Sequence, residues 1–245
     1  HAPVTVILPP GTSLHRGESV SIDYYAAFPI PGDNQVGMCL TTEGVFRWLS
    51  NNAKALKTVL PARSELLLSY DEMRQVNSCA SCREKHFTAG QLLAWSVTQT
   101  SQIYKSLLPG TRLYVWSDMF NPYHNARNHY FYVEGNLAGS WKGLQPEVGV
   151  LNWDHDHLMQ SLRWFAGLDR RQTIPHQQII AGYYDSGSGA SAAADLQNAR
   201  GIPGIQGIMY VSWKDDYLQL DEFADSARKA WSSYVKSVPA RSSGN

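Results

Sequence analysis

The sequence predicts an α/β fold of the (β/α)8 TIM-barrel type whose first strand-helix units are lacking from the chain. Short apolar runs alternate with amphipathic segments of helical period, which is typical of a parallel sheet wrapped by helices. Several of these runs end in an aromatic residue followed by a carboxylate, at the edge where barrel enzymes place their chemistry. About six units follow Ser19, fewer than the roughly eight of a closed barrel. We therefore expect a missing N-terminal region.

The first 28 residues are rich in β-branched side chains and predict a β-rich hairpin joined to the barrel. Its two runs are residues 4–8 and 19–25, with prolines and a glycine between them as turn formers. The barrel region is expected over residues 29–238. A disordered tail is expected over residues 239–245, where serine and glycine dominate.

The remaining elements alternate along the chain. Thr41 or Thr42 caps a first helix, whose apolar residues repeat at helical spacing. A polar, aromatic loop over residues 118–130 is long enough to be functional, and a flexible loop is expected over residues 186–189. The predicted strands are residues 64–70, 112–116, 131–133, 147–153, 178–184 and 205–213, and the later helices are residues 90–108, 157–168, 190–199 and 220–235.

The apolar run of residues 66–68 leads directly into two adjacent carboxylates, Asp71 and Glu72. Neighbouring side chains of a strand point to opposite faces, but where the strand ends the chain turns and both can reach one pocket. In such a pocket one carboxyl group can stay protonated as an acid while the other stays ionised. The alternative is an acid pair at a helix start that bonds to Arg74.

Other strand ends contribute aromatic and polar side chains to the same predicted rim. Tryptophan offers a flat apolar face for sugar C–H groups, and a core packing role is the alternative for each tryptophan. Asp118 could bond a sugar hydroxyl or cap its own loop, and residues 139–143 form a predicted turn that presents Trp141. The candidate substrate-binding residues are Trp116, Asp118, His124, Asn125, Trp141, Trp153, Tyr184, Asp185 and Trp213.

Three cysteines are too few for a disulfide framework, but they permit a metal site. Cys79 and Cys82 form a Cys-x-x-Cys pair, with His86 four residues further on and Cys39 far upstream. These four residues could hold zinc, while a local disulfide or free thiols are the alternatives. We expect no metal and no cofactor in the rim site.

Composition excludes several classes of partner. The formal net charge is zero, with 21 basic and 21 acidic residues, which argues against nucleic acid and against an anionic membrane surface. No apolar run reaches the ~18 residues of a membrane-spanning helix. Hydrophobic residues make up 43% of the chain and charged residues 17%, which indicates a folded core.

Four segments resemble bacterial glycoside-hydrolase-like TIM-barrel proteins, distant relatives of the family 20 β-N-acetylhexosaminidases. They are LSYDEMR, YVWSDMFNPYHN, GSWKGL and IAGYYD, which begin at residues 68, 114, 139 and 180. The resemblance covers residues 64–217. It implies a glycoside hydrolase in which Glu72 is the general acid/base and Asp71 orients the substrate's own 2-acetamido group as nucleophile.

The resemblance also sets expectations for the acid pair and for partners. The hexosaminidases carry Gly-Gly before their acid pair, where this chain has Ser69 and Tyr70. The resemblance implies a carbohydrate substrate and an extracellular or periplasmic location. An incomplete barrel exposes sheet edges, so a second chain or an N-terminal segment is expected to complete it.

Two other functions remain open at this point. Asp185 could be the nucleophile of a retaining glycosidase that uses two carboxylates. Alternatively, the barrel could bind carbohydrate, or serve a structural role, without any turnover.

Overall fold

The computed structural model describes residues 7–21, 28–30, 36–169, 174–184 and 188–237. Two short strands, β1 (Phe28–Pro29) and β2 (Val36–Gly37), pair antiparallel. The other strands form one parallel sheet that curls into a half-barrel, and their order in space equals their order in sequence. They are β3 (Glu65–Leu67), β4 (Arg112–Trp116), β5 (Val148–Asn152), β6 (Gln178–Tyr183) and β7 (Ile205–Val211).

Helices flank this sheet, and the α/β class with a parallel sheet is therefore confirmed. The longest helix begins with a capping box, in which Thr88 Oγ1 accepts from Gln91 N and Thr88 N donates to Gln91 Oε1. These reciprocal bonds satisfy two of the backbone donors that a helix start leaves unpaired. The helices are α1 (Glu43–Lys57), α2 (Ala80–Arg83), α3 (Ala89–Leu107), α4 (Leu158–Phe165), α5 (Ser188–Asn198) and α6 (Leu220–Ser237).

Alternate side chains of the strands divide between two faces. On the outer face, Leu113 and Val115 of β4 join a large core with α1 and α3. A second outer cluster joins Ile180 to buried residues of α4, α5 and α6. On the concave face, Tyr114 and Trp116 pack with Leu151, Ala181 and Val211. The concave face of the half-barrel is therefore aromatic.

Gly149 explains how Tyr114 fits on this concave face. A Cβ atom at position 149 would lie 2.3 Å from Tyr114 Cε1, so any side chain there would displace the ring. The ring instead lies against Gly149, and its hydroxyl group lies 3.5 Å from Glu65 Oε1 of β3. This glycine is required for close packing between neighbouring strands.

Two predicted elements differ from the structure. Residues 131–133 form a turn, so the strand predicted there was wrong. Tyr132 N donates to Arg74 O, and Glu134 N donates to Val76 O, so this segment bonds to a loop and adds no strand to the sheet. The N-terminal hairpin is not confirmed, since residues 7–21 contain no strand.

Several predicted segments lie outside the described residues. These are residues 4–6 and 22–25 of the two hairpin runs and the whole tail of residues 239–245. Residues 185–187, which include Asp185 and the start of the predicted flexible loop, lie outside as well. The last two residues of that predicted loop belong to α5.

Candidate functional site

The chain turns sharply just after β3, and this turn sets the direction of the acid pair. Ser69, Tyr70 and Glu72 have φ angles of 66°, 64° and 39°, in the left-handed region that costs a non-glycine residue roughly 1–2 kcal/mol. The turn ends the alternation of the strand, and Asp71 and Glu72 both line one cavity. Strained backbone of this kind is often found at functional sites.

Tyr70 anchors this turn to α3. Its hydroxyl group donates to Thr100 Oγ1 at 2.9 Å and lies 3.2 Å from Ser96 Oγ. Its ring packs against Phe120, with ring centroids 5.7 Å apart. Because burial raises the pKa of Tyr70, the hydroxyl group stays protonated and keeps its hydrogen bond to α3.

Asp118 lies fully buried behind the acid pair. Its Oδ2 accepts from Glu72 N at 3.0 Å and from Asn125 Nδ2 at 2.9 Å. Burial, with a further contribution from Asp71, raises the pKa of Asp118 to about 7. Asn125 is also buried, 3.4 Å from the Tyr130 hydroxyl group. Asp118 and Asn125 therefore support the turn from inside the protein.

The two carboxylates of the acid pair have different surroundings. Burial, with a contribution from Glu72, raises the pKa of Asp71 to about 6, while Arg74 acts in the opposite direction. Arg74 Nη2 donates to Glu72 Oε2 at 2.7 Å, and the guanidinium lies 4.9 Å from the centroid of the Phe131 ring. Asp71 therefore holds a proton up to about pH 6, next to a carboxylate that is bonded to a permanent cation.

A cavity of about 210 Å³ opens at the acid pair. Its acidic wall is the turn after β3, and Ser96 and Thr100 line it from α3. Phe46 and Leu49 of α1 supply apolar walls. None of the four tryptophans predicted for the rim lines this cavity, which has room for a small ligand only.

Three of the four predicted tryptophans lie on the concave face instead. Trp116 is buried beside Trp213, which is 59% exposed, and their ring centroids are 5.9 Å apart. Trp153 packs edge-on against His124, with centroids 4.5 Å apart. Burial lowers the pKa of His124, and the charges of Asp154 and Glu72 partly oppose this. His124 thus packs on the aromatic face, and the charge of Glu72 acts on it from the acid pair.

The remaining predicted residues are not brought to the acid pair by any described contact. Trp141 packs edge-on against the buried Trp164, with ring centroids 5.3 Å apart, and belongs to the core under the helices. Tyr184 directly follows β6, and its backbone N donates to Val211 O. Asp185 lies outside the described residues.

A group of acids and imidazoles lies at the carboxyl end of β5, and of its members only His124 was among the predicted site residues. Asp154 Oδ2 lies 3.0 Å from His157 Nδ1 and 3.8 Å from His124 Nδ1. His155 Nδ1 lies 3.2 Å from Asp195 Oδ2, and the hydrogen bond to Asp195 raises the pKa of His155. The signal in the sequence was the run Asp-His-Asp-His at residues 154–157, one residue after the buried strand β5.

The three cysteines converge at a separate place. Cys39 Sγ lies 3.5 Å from Cys79 Sγ and 3.8 Å from Cys82 Sγ, and all three are free thiols. His86 is exposed and does not belong to this group. Of the four residues predicted to hold zinc, the described structure therefore brings together only the three cysteines.

Comparison with known proteins gives no relative from which the role of this site could be inferred. No protein-family model matches the chain, and no curated protein matches it significantly. Every helix in the described ranges is too short or too polar to cross a membrane.

Proposed function

We propose that the protein is a glycoside hydrolase in which Asp71 and Glu72 perform acid–base chemistry on a glycan. The observation that carries this proposal is that both carboxylates line one cavity at the carboxyl end of a parallel strand. Barrel enzymes act at this end of their strands, and glycosidases use two carboxyl groups with different tasks.

In the proposed reaction Glu72 gives a proton to the leaving-group oxygen while Asp71 orients the 2-acetamido group of an N-acetylhexosaminide. The acetamido oxygen bonds to the anomeric carbon as the glycosidic bond breaks. Glu72 then takes a proton from water, which opens the cyclic intermediate with retained configuration. The backbone supports the underlying resemblance, because Ser69 and Tyr70 adopt the conformation that glycine prefers, where the hexosaminidases carry Gly-Gly.

A second assignment of the two roles is favoured by the electrostatics. Asp71 holds its proton to about pH 6, and Glu72 is bonded to Arg74. In this version Asp71 donates the proton and Glu72 stabilises the positive charge that develops on the sugar. Both versions use the same two carboxylates, and the proton donor distinguishes them.

The proposal also includes a closed (β/α)8 barrel. Within the described residues β3 and β7 are the two ends of the sheet, and further strands beside them would close it. Counted this way, β3 to β7 are strands four to eight, and the acid pair follows strand four as in the hexosaminidases. The concave face, with the half-exposed Trp213, then becomes the aromatic interior and mouth of the barrel, where a sugar can stack.

The test is hydrolysis of a panel of aryl glycosides that includes N-acetylglucosaminide and N-acetylgalactosaminide. We expect wild type to turn over at least one of them, and Asp71→Asn and Glu72→Gln to lose about 10²–10⁴-fold in rate. Glu134→Gln is the control, since Glu134 is an exposed acid paired with Arg83, and it should retain full activity.

Two results would overturn the proposal. The first is a folded wild type that hydrolyses no member of the panel. The second is hydrolysis that both acid-pair variants retain. Sugar binding by wild type and by Glu72→Gln alike, without hydrolysis, would instead support the alternative of a non-catalytic carbohydrate-binding barrel.

A further inference from the structure

We infer that Cys39, Cys79 and Cys82 form a binding site for one thiophilic metal ion, Zn²⁺, apart from the acid pair. The three sulfur atoms all lie within 4.8 Å of one another, although Cys39 is 40 residues away from Cys79 in the chain. A disulfide would use two of these sulfurs and leave the third, whereas a metal ion uses all three.

The spacing of the sulfurs fits tetrahedral coordination. A Zn–S bond of about 2.3 Å at the tetrahedral angle separates two sulfur ligands by about 3.8 Å. Cys39 Sγ lies 3.5 Å from Cys79 Sγ and 3.8 Å from Cys82 Sγ. The side chains can therefore hold a metal ion with only small movements.

Donors around the sulfurs suit thiolate ligands. Thr42 Oγ1 donates to Cys39 Sγ at 2.9 Å, and Thr41 Oγ1 donates to Cys82 Sγ at 3.6 Å. Cys82 N donates to Cys79 Sγ at 3.4 Å. Each sulfur thus accepts a hydrogen bond, and such outer contacts orient the ligands of metal sites.

The chemistry of the ligand set selects the metal. Three thiolates are soft ligands that favour zinc over magnesium or calcium. On binding, each thiol gives up its proton to solvent and bonds to the metal through its sulfur. No other His, Cys, Asp or Glu in the described ranges joins the group, so the described part of the chain supplies three of the four tetrahedral ligands.

The site would stabilise a wall of the acid cavity. Cys39 precedes α1, while Cys79 and Cys82 belong to the start of α2. Residues Gly37 and Gln75 line both the small cleft beside the cysteines and the cavity at the acid pair. A metal ion that joins the two segments would therefore hold this wall in place.

The test is zinc binding by the full chain, freed of metal with a chelator under reducing conditions. We expect one equivalent of added Zn²⁺ to remain bound after dialysis, as measured by mass spectrometry of the metal content. Co²⁺ in its place should give the visible bands of a tetrahedral thiolate complex. Cys39→Ser, Cys79→Ser and Cys82→Ser should each weaken zinc binding at least tenfold, while His86→Ala should bind as wild type does.

A second measurement covers the case in which a cysteine variant fails to fold. In wild type, zinc should slow the alkylation of all three thiols at least tenfold, and a chelator should restore the rate. Alkylation rates that zinc leaves unchanged, or a reduced wild type that retains no zinc, would overturn the inference. None of these readouts depends on glycosidase activity, so the result stands apart from that of the proposed function.

Discussion

Asp118 is the residue whose burial couples the stability of this fold most directly to pH. Its pKa is raised from the ordinary 3.8 to about 7 in the folded protein. A raised carboxyl pKa means that the folded state binds the proton more tightly than the unfolded state does. The stability from this group is therefore fully present below about pH 4 and is lost as pH rises to about 7.

We predict that Asp118→Asn flattens this dependence. The amide keeps an oxygen that can accept from Glu72 N and Asn125 Nδ2 but removes the titration. Between pH 5 and pH 8 the free energy of unfolding should fall by a few kcal/mol less in the variant than in wild type. Urea denaturation at both pH values measures this.

The matched control is Asp215→Asn, because Asp215 is exposed and its substitution should leave the wild-type dependence intact. The prediction would be contradicted if the free energy of unfolding of Asp118→Asn fell between pH 5 and pH 8 by as much as that of wild type. The pKa of Asp71 is also raised, to about 6, so Asp71 contributes a decline of the same sign that remains in the variant.

Some residues of the candidate site could be predicted from the sequence, and others could not. Asp71, Glu72 and Asp118 could be selected because acids that directly follow apolar strands stand out. The sequence also offered Arg74 as a partner of the acid pair, and its bond to Glu72 is present. Tyr130 could not be selected, because its contacts depend on how the loop of residues 130–134 folds back on residues 74–76. Trp141 was placed on the rim, yet it packs on Trp164, since a tryptophan in a turn looks the same in either role.

Among the elements, the contact between α3 and the 3-10 helix Ser140–Gly143 is a close approach of two backbones that depends on glycine. A Cβ atom at Gly143 would lie 2.0 Å from Ala94 O and 2.5 Å from Ala94 Cα. We predict that Gly143→Ala destabilises the protein by about 2–3 kcal/mol, since a rigid helix backbone must move. Chemical denaturation measures this loss.

Gly44→Ala is the control for the same change in side chain. In the first turn of α1, its Cβ atom would find only Thr42 Cγ2, at 3.9 Å. Because alanine favours a helix more than glycine does, we expect a stabilisation of about 0.5–1 kcal/mol. Equal stability of the two variants would contradict the packing account.

The elements were predicted best where one physical rule was sufficient. The strand at residues 112–116 and the helix stopped by Pro109 and Gly110 follow from burial and from helix-ending residues, and both are confirmed. The strand at residues 131–133 failed because aromatic and β-branched residues also occur in turns that pack on other loops. Local propensity does not report such contacts.

At the scale of the whole molecule, the strands of the described residues form a half-barrel with two edge strands, β3 and β7. In the described part of the chain β3 pairs only with β4, and Leu67 on β3 is 43% exposed. An apolar edge strand of this kind favours association. We predict that the average mass of wild type in sedimentation experiments rises with concentration, and that Leu67→Lys reduces this rise.

Val59→Lys is the control for this prediction. Val59 is 72% exposed and lies in the turn after α1, outside the strands of the sheet. The control should associate as wild type does. A wild type that stays at the mass of one chain at all concentrations would contradict the prediction.

The sequence predicted the parallel sheet and offered Cys39, Cys79 and Cys82 as part of a possible metal site, but it could not show that distant residues meet. Cys39 joins Cys79 and Cys82 only because the segment before α1 packs against the segment before α3. His155 meets Asp195 across two strand-helix units in the same way. Such pairs depend on tertiary packing, which spacing along one chain does not encode.

The central claim is that one carboxyl group of the acid pair gives its proton to the leaving group. The most direct measurement compares kcat/KM of wild type, Glu72→Gln and Asp71→Asn on two aryl glycosides of the same sugar, one with a poor leaving group and one with an activated leaving group. We predict that Glu72→Gln loses about 10²–10⁴-fold on the poor leaving group and far less on the activated one, while Asp71→Asn loses equally on both. The reverse pattern would assign the proton to Asp71, and losses independent of the leaving group in both variants, or no losses, would contradict the claim.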